Sequence, residues 1–129
     1  VRLPDYEGPQ PVRVVFSRSG AIPPDCRLLS DADAARTRVI VGETLDEALT
    51  ALYAAGICNL LIEGGARLAT AFLQAERVQR VSHYLNESYL GTGWSAFGDY
   101  GLNDLHQRIP LKHVKYTVLG DDIVVTGRL

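Results

Sequence analysis

The chain has no methionine, one tryptophan and only two cysteines among its 129 residues. Cys26 and Cys58 are too few for a disulfide framework, and neither has a metal-ligand residue at close spacing. Small buried thiols are therefore expected, with the cytoplasm as the default compartment. No run of about 18 apolar residues is present, so no membrane-spanning helix is expected. Thirteen Lys and Arg against fifteen Asp and Glu give a net charge of −2, which leaves no electrostatic footprint for nucleic acid. The chain lacks G-x-G-x-x-G, so a Rossmann dinucleotide fold is not supported, and it lacks G-x-S-x-G or a Cys/His pair that would suggest a hydrolase. His83, His106 and His113 are scattered, none beside a second ligand, and no metal site is expected. The opening Val1-Arg2-Leu3-Pro4 has neither the basic nor the apolar part of a signal peptide. With methionine absent, it reads as the edge of a fragment or domain.

What is present is the composition of an ordinary globular domain, 47% hydrophobic and 22% charged, of a length that suits one domain over residues 1–129. Residues 1–10 are polar, with two prolines and a glycine, and read as a linker. A short β-branched strand over 11–16 ends in Ser17-Arg18-Ser19-Gly20. Pro23-Pro24 rules out a regular helix over 21–29. A second strand over 37–41 is closed by Gly42. Thr44 and Glu47 have capping-box spacing, which predicts a helix with Leu45, Ala48, Leu49, Leu52 and Tyr53 near one face and Gly56 at its end. Residues 59–63 are almost wholly apolar and suggest a central strand covered on both sides. Gly64-Gly65 follows, then a helix over about 66–76 with a stripe of Leu68, Ala69, Phe72 and Leu73. A strand over 81–85, a loop at 91–94 and two β-rich runs around Gly120-Asp121-Asp122 complete the chain. The last pair reads as an antiparallel hairpin. Strand–helix alternation with a terminal hairpin gives an α/β fold with a mixed sheet.

Two loops could carry chemistry. At residues 60–69 an apolar strand runs through two glycines straight into a helix. Glycines let a ligand approach the main chain, and a helix N-terminus offers free N–H groups to a phosphate; a plain tight turn is the alternative. Glu63 ends the apolar run, where a carboxylate is costly unless partnered or reaching solvent. In Ser17-Arg18-Ser19, two hydroxyls flank a guanidinium, a set that can hold a phosphate such as the one distinguishing NADP from NAD, or else form a polar turn. Asp121-Asp122 reads as turn chemistry. Trp94 either covers a ligand or interface, or fills the core edge.

Taken together, these segments resemble the reductase domain of the bifunctional riboflavin-biosynthesis deaminase/reductase, whose fold is like that of dihydrofolate reductase. The resemblance rests on Gln10-Pro11-Val12-Arg13-Val14-Val15, Ile22-Pro23-Pro24-Asp25-Cys26-Arg27-Leu28-Leu29, Leu61-Ile62-Glu63-Gly64-Gly65-Ala66-Arg67-Leu68-Ala69, Tyr89-Leu90-Gly91 with Ala96-Phe97-Gly98, and Leu119-Gly120-Asp121-Asp122-Ile123-Val124-Val125-Thr126-Gly127-Arg128. They run in the family's order over nearly the whole chain. The resemblance implies NADPH-dependent reduction of 5-amino-6-(5-phosphoribosylamino)uracil, or its diaminopyrimidinone relative, to the ribityl form. It implies a phosphate cradle at Gly64, Gly65, Ala66, Arg67, Leu68, Ala69, Thr70 and Ala71. Ser17, Arg18 and Ser19, with Gly42, would hold the adenosine 2′-phosphate side of NADPH. Glu63 would touch the substrate as the catalytic-site carboxylate, and Arg2 would bind the substrate phosphate. A homodimer, and a deaminase domain fused upstream in the parent protein, are also expected from it. The chain departs from the family in five ways, two of which are that the Asp-Asp-Pro part before Arg2 and the deaminase domain with its zinc ligands have no counterpart in it. The family's first strand, with its Ser-Leu-Asp-Gly-Lys-like motif, has no counterpart; Ser17-Arg18 stands where the family often has Asp-Ser; and Asn86-Glu87 replaces Ala-Pro. Another NADPH reductase of this fold and a non-catalytic dimerisation module are the competing readings.

Overall fold

The computed structural model describes residues 5–88 and 91–129. It divides into two compact units, Val1–Asn59 and Leu60–Leu129. In the first unit, β1 (Arg13–Ser17) and β2 (Thr37–Val41) pair in parallel, with Arg13 opposite Thr37 and Ser17 opposite Val41. The connection holds the one-turn helix α1 (Arg27–Ser30) and a 3₁₀ turn at Ala34–Arg36. The helical turn overlaps the end of the segment expected to be irregular, because it starts beyond the two prolines and so loses no backbone donor to them. Arg13 ties this crossover to β1. Its guanidinium donates to both carboxylate oxygens of Asp31, at 2.6 and 2.8 Å, and to the Leu28 carbonyl at 3.1 Å. The fork geometry matches a carboxylate, and the contact raises the Arg13 pKa above its ordinary value.

Helix α2 (Leu45–Ala54) forms where the capping box placed it. Thr44 Oγ1 accepts from the Glu47 amide at 3.3 Å, and the Thr44 amide donates to Glu47 Oε2 at 2.9 Å. The helix ends in a Schellman motif: Ile57 N–H reaches Leu52 O, Gly56 N–H reaches Tyr53 O, and Gly56 lies at φ 80°. Of the expected stripe, Ala48 and Leu52 are buried, while Tyr53 is exposed.

The second unit starts with residues 60–65, outside any helix or strand, then helix α3 (Ala66–Gln74), β3 (Arg80–Leu85), β4 (Lys112–Leu119) and β5 (Asp122–Arg128). The three strands form an antiparallel sheet in the order β3-β5-β4. β4 and β5 are the expected hairpin. Leu119 pairs with Asp122 across a two-residue Gly120-Asp121 turn, so Asp122 belongs to the strand. Its carboxylate accepts from the Asn86 side chain at 2.6 Å, which pins the end of β3. Central β5 contributes buried Val124 and buried Gly127; a Cβ on Gly127 would stand 2.9 Å from the Leu111 Cβ. Parallel and antiparallel pairing are thus both present, and they fall in separate sheets.

Two expectations need correction. Residues 59–63 do not form a strand, and Leu61 is 77% exposed. An apolar run becomes a strand only when a neighbour answers its N–H and C=O groups, and none of the described strands pairs with this one. Cys58 lies beside the same unpaired segment and is exposed, while Cys26 is half-buried, so neither is a buried core thiol.

Candidate functional site

The first set of candidate residues stands at the carboxyl end of the β1–β2 pair. Parallel register brings the two strand ends level, and the Gly42 N–H donates to the Ser17 carbonyl at 3.2 Å. Ser17 Oγ accepts from the Gly20 amide at 3.0 Å, and Ser19 Oγ accepts from the Ala21 amide at 3.3 Å. Both hydroxyls spend lone pairs on the backbone, so their O–H protons remain free to donate. Arg18 lies between them, exposed and without an ion pair among the described residues. The turn is thus both the polar turn and a pair of hydroxyl donors around a cation. Such an array fits an anion at the carboxyl end of parallel strands, where α/β sheets commonly bind ligands.

The second set lies at the start of α3. Gly65 is the N-cap, at φ 74° and ψ 122°, and no side chain caps the helix. The first bond of the helix runs from the Ala69 amide to the Gly65 carbonyl at 3.1 Å. The amides of Ala66, Arg67 and Leu68 precede it and have no acceptor within the helix. A Cβ on Gly64 or Gly65 would meet nothing within 4 Å. Bare amides, a positive dipole end and open space above two glycines suit a phosphate. Glu63, just before them, is exposed, as are Arg67 and Ala71; Leu68 and Ala69 are half-buried. Arg2 lies outside the described residues, as do Tyr89 and Leu90.

Thr70 differs from its neighbours. It is the buried polar residue of α3, 6% exposed, alongside Phe72 at 1%. Its hydroxyl donates to the Ala66 carbonyl at 2.7 Å and accepts from the Gly98 amide at 2.7 Å. One helical turn further on, the Tyr100 hydroxyl donates to the Leu73 carbonyl at 3.1 Å. Sequence periodicity singled out only the apolar stripe of this helix and missed these two clamps. The available signal was a threonine four residues after Ala66, where its hydroxyl can reach back to the carbonyl.

Among the described residues no three His, Cys, Asp or Glu side chains gather as metal ligands, and no helix is long and apolar enough to cross a membrane. His83, His106 and His113 are exposed, and Trp94 is fully so.

The fold these elements define is the mixed α/β fold of RibD proteins. A solved RibD structure from Acinetobacter baumannii superposes with a TM-score of 0.80 at 23% identity, covering 93% of this chain and 38% of that one. A Thermotoga maritima structure titled as a diaminohydroxyphosphoribosylaminopyrimidine deaminase/5-amino-6-(5-phosphoribosylamino)uracil reductase gives 0.75 at 23% identity, covering 98% of this chain and 40% of that one. The family model described as the RibD C-terminal domain matches residues 1–125. The riboflavin biosynthesis protein RibD of Mycobacterium tuberculosis is 32% identical over 117 residues, which are 91% of this chain and 33% of that protein. The Aquifex aeolicus protein of the same name is 24% identical over 136 residues, covering 90% of this chain. The chain belongs to the RibD C-terminal domain family, and it spans about a third of the length of these curated relatives.

Proposed function

We propose that this chain is the NADPH-binding part of a riboflavin-biosynthesis reductase that converts the phosphorylated ribosylaminopyrimidine, 5-amino-6-(5-phosphoribosylamino)uracil, to its ribityl form. The observation that carries this reading is the uncapped start of α3 behind two glycines with open space above them. Within the segment from Gly64 to Ala71, the open amides at the start of α3 hold the cofactor's phosphates, and the residues from Ala69 to Ala71 support them from inside the helix. The Ser17–Arg18–Ser19 turn, joined to Gly42, holds the 2′-phosphate. Glu63 faces the substrate, and Arg2 takes its phosphate. NADPH, when bound, supplies the hydride that goes to the sugar C1′. The protein's part is to orient the open-chain sugar against the nicotinamide and to exclude water. A partner of the same sequence, and a deaminase domain upstream in the whole protein, belong to the same reading; the curated relatives leave room for the latter by their length.

Calorimetric titration with NADPH and, in parallel, NADH tests it. NADPH binding with a clear preference over NADH is expected. Gly64→Leu is the sharpest variant, because Gly64 does not lie at positive φ and its Cβ site is empty. The bulk should weaken NADPH binding by about tenfold or more, the scale of 1.4 kcal/mol, with unfolding midpoint unchanged. Normal affinity in Gly64→Leu, or no binding of either nucleotide by the folded chain, removes the cradle.

A further inference from the structure

Residues 94–100 carry the Ala96-Phe97-Gly98 stretch and the chain's single tryptophan, and the reading above gives them no role. They are fixed to α3 at two points. Thr70 has one hydroxyl proton, and it goes to the Ala66 carbonyl at 2.7 Å. The oxygen's remaining lone pairs face away from the helix, and the Gly98 amide donates into them at 2.7 Å. Gly98 is not at positive φ, so its backbone does not need glycine for conformation. Space is tight there: a Cβ would stand 3.3 Å from Thr70 Oγ1, a contact relieved only if the neighbours give by a few tenths of an ångström, and 4.0 Å from the Ala66 carbonyl. The loop backbone therefore lies beside Ala66 and Thr70, which span the first turn of α3, the turn whose amides are uncapped. Tyr100 repeats the attachment at Leu73.

We infer that Thr70 is a positioning residue whose buried hydroxyl holds the 94–100 loop against the first turn of α3, making the loop a side wall of the nucleotide site. This rests on the cradle reading. It assigns Thr70 an indirect part, through Gly98, instead of a contact with the cofactor. The chemistry requires a hydroxyl and nothing more of the side chain. Serine can donate to Ala66 and accept from Gly98; valine fills the same volume and does neither, leaving the Gly98 amide without its acceptor.

The test combines NADPH calorimetry with hydrogen exchange of the Gly98 amide, followed by NMR, on the full chain. Wild type should protect the Gly98 amide. Thr70→Val should lose that protection and weaken NADPH binding about tenfold, the scale of one buried hydrogen bond. Thr70→Ser should restore both. Tyr100→Phe leaves the sequence of α3 and the Thr70 bonds unchanged, guards against a folding defect in Thr70→Val, and should weaken binding by about threefold, as the more weakly held second clamp. Lost Gly98 protection with unchanged NADPH affinity in Thr70→Val overturns the proposal, as does failure of serine to rescue. A wild-type chain that protects Gly98 yet binds no NADPH is a different result: it removes the cradle reading, and the wall with it, while the loop–helix attachment stands.

Discussion

Helices α2 and α3 are nearly equal in length, ten and nine residues, yet their ends are built in opposite ways. α2 is closed by its own sequence. Thr44 and Glu47 satisfy each other's amides at the start, and Gly56 takes the left-handed position at the end. α3 starts at a bare glycine and ends with Glu76 in the left-handed position, at φ 56°. Its end makes the same two Schellman bonds, from Arg77 to Phe72 and from Glu76 to Leu73, but with a residue that pays for the conformation. α2 uses its own side chains and a glycine to close both ends, whereas the first amides of α3 stay open; in the function proposed above, that opening leaves them for an anion, which a side-chain cap would displace.

The contrast can be broken at either helix. Gly65→Val should have the largest effect. It forces a β-branched residue to φ 74°, and urea unfolding should register a loss of about 1–3 kcal/mol together with weakened NADPH binding. This position cannot lose affinity alone, as the glycine pair by itself would suggest; Gly64→Leu isolates affinity from stability. Thr44→Ala should cost α2 about 1 kcal/mol in the same unfolding experiment and leave NADPH affinity unchanged. Glu76→Gly should act in the opposite direction, stabilising by about 0.5–1 kcal/mol as left-handed strain is relieved against the added freedom of the unfolded chain. The smallest effect is a pH dependence. The Thr44 hydroxyl, and then its amide, hold the Glu47 carboxyl below its ordinary pKa. A depressed carboxyl stabilises the fold above its unfolded pKa, and that contribution disappears as pH falls through the folded value. Denaturation at stepped acidic pH should show a small decline in wild type that is reduced in Glu47→Gln, which keeps the capping partner and removes the titration.

Local signals in the sequence were sufficient for α2, for the C-terminal hairpin and for the two strand ends that bear Ser17 and Gly42, because each depends on neighbours within a few residues. The glycine pair before α3 was legible for the same reason. Residues 59–63 show the limit. Their apolar run is as strong a strand signal as any in the chain, but a strand is made by its partner, and a single segment's composition does not name one. The thiols were misjudged with it, since Cys58 borrows its exposure from that segment.

The sequence by itself determined both caps of α2, the glycine start of α3 and the Gly120-Asp121 turn, since these are settled by hydrogen bonds and backbone sterics acting over one or two turns of chain. Only the tertiary structure decided that Thr70 is buried and answers Gly98, that Arg13 grips Asp31, and that Gly127 yields its side chain to Leu111. Each of those contacts joins residues from 16 to 28 positions apart, where periodicity carries no information and only the packed chain brings donor and acceptor within reach.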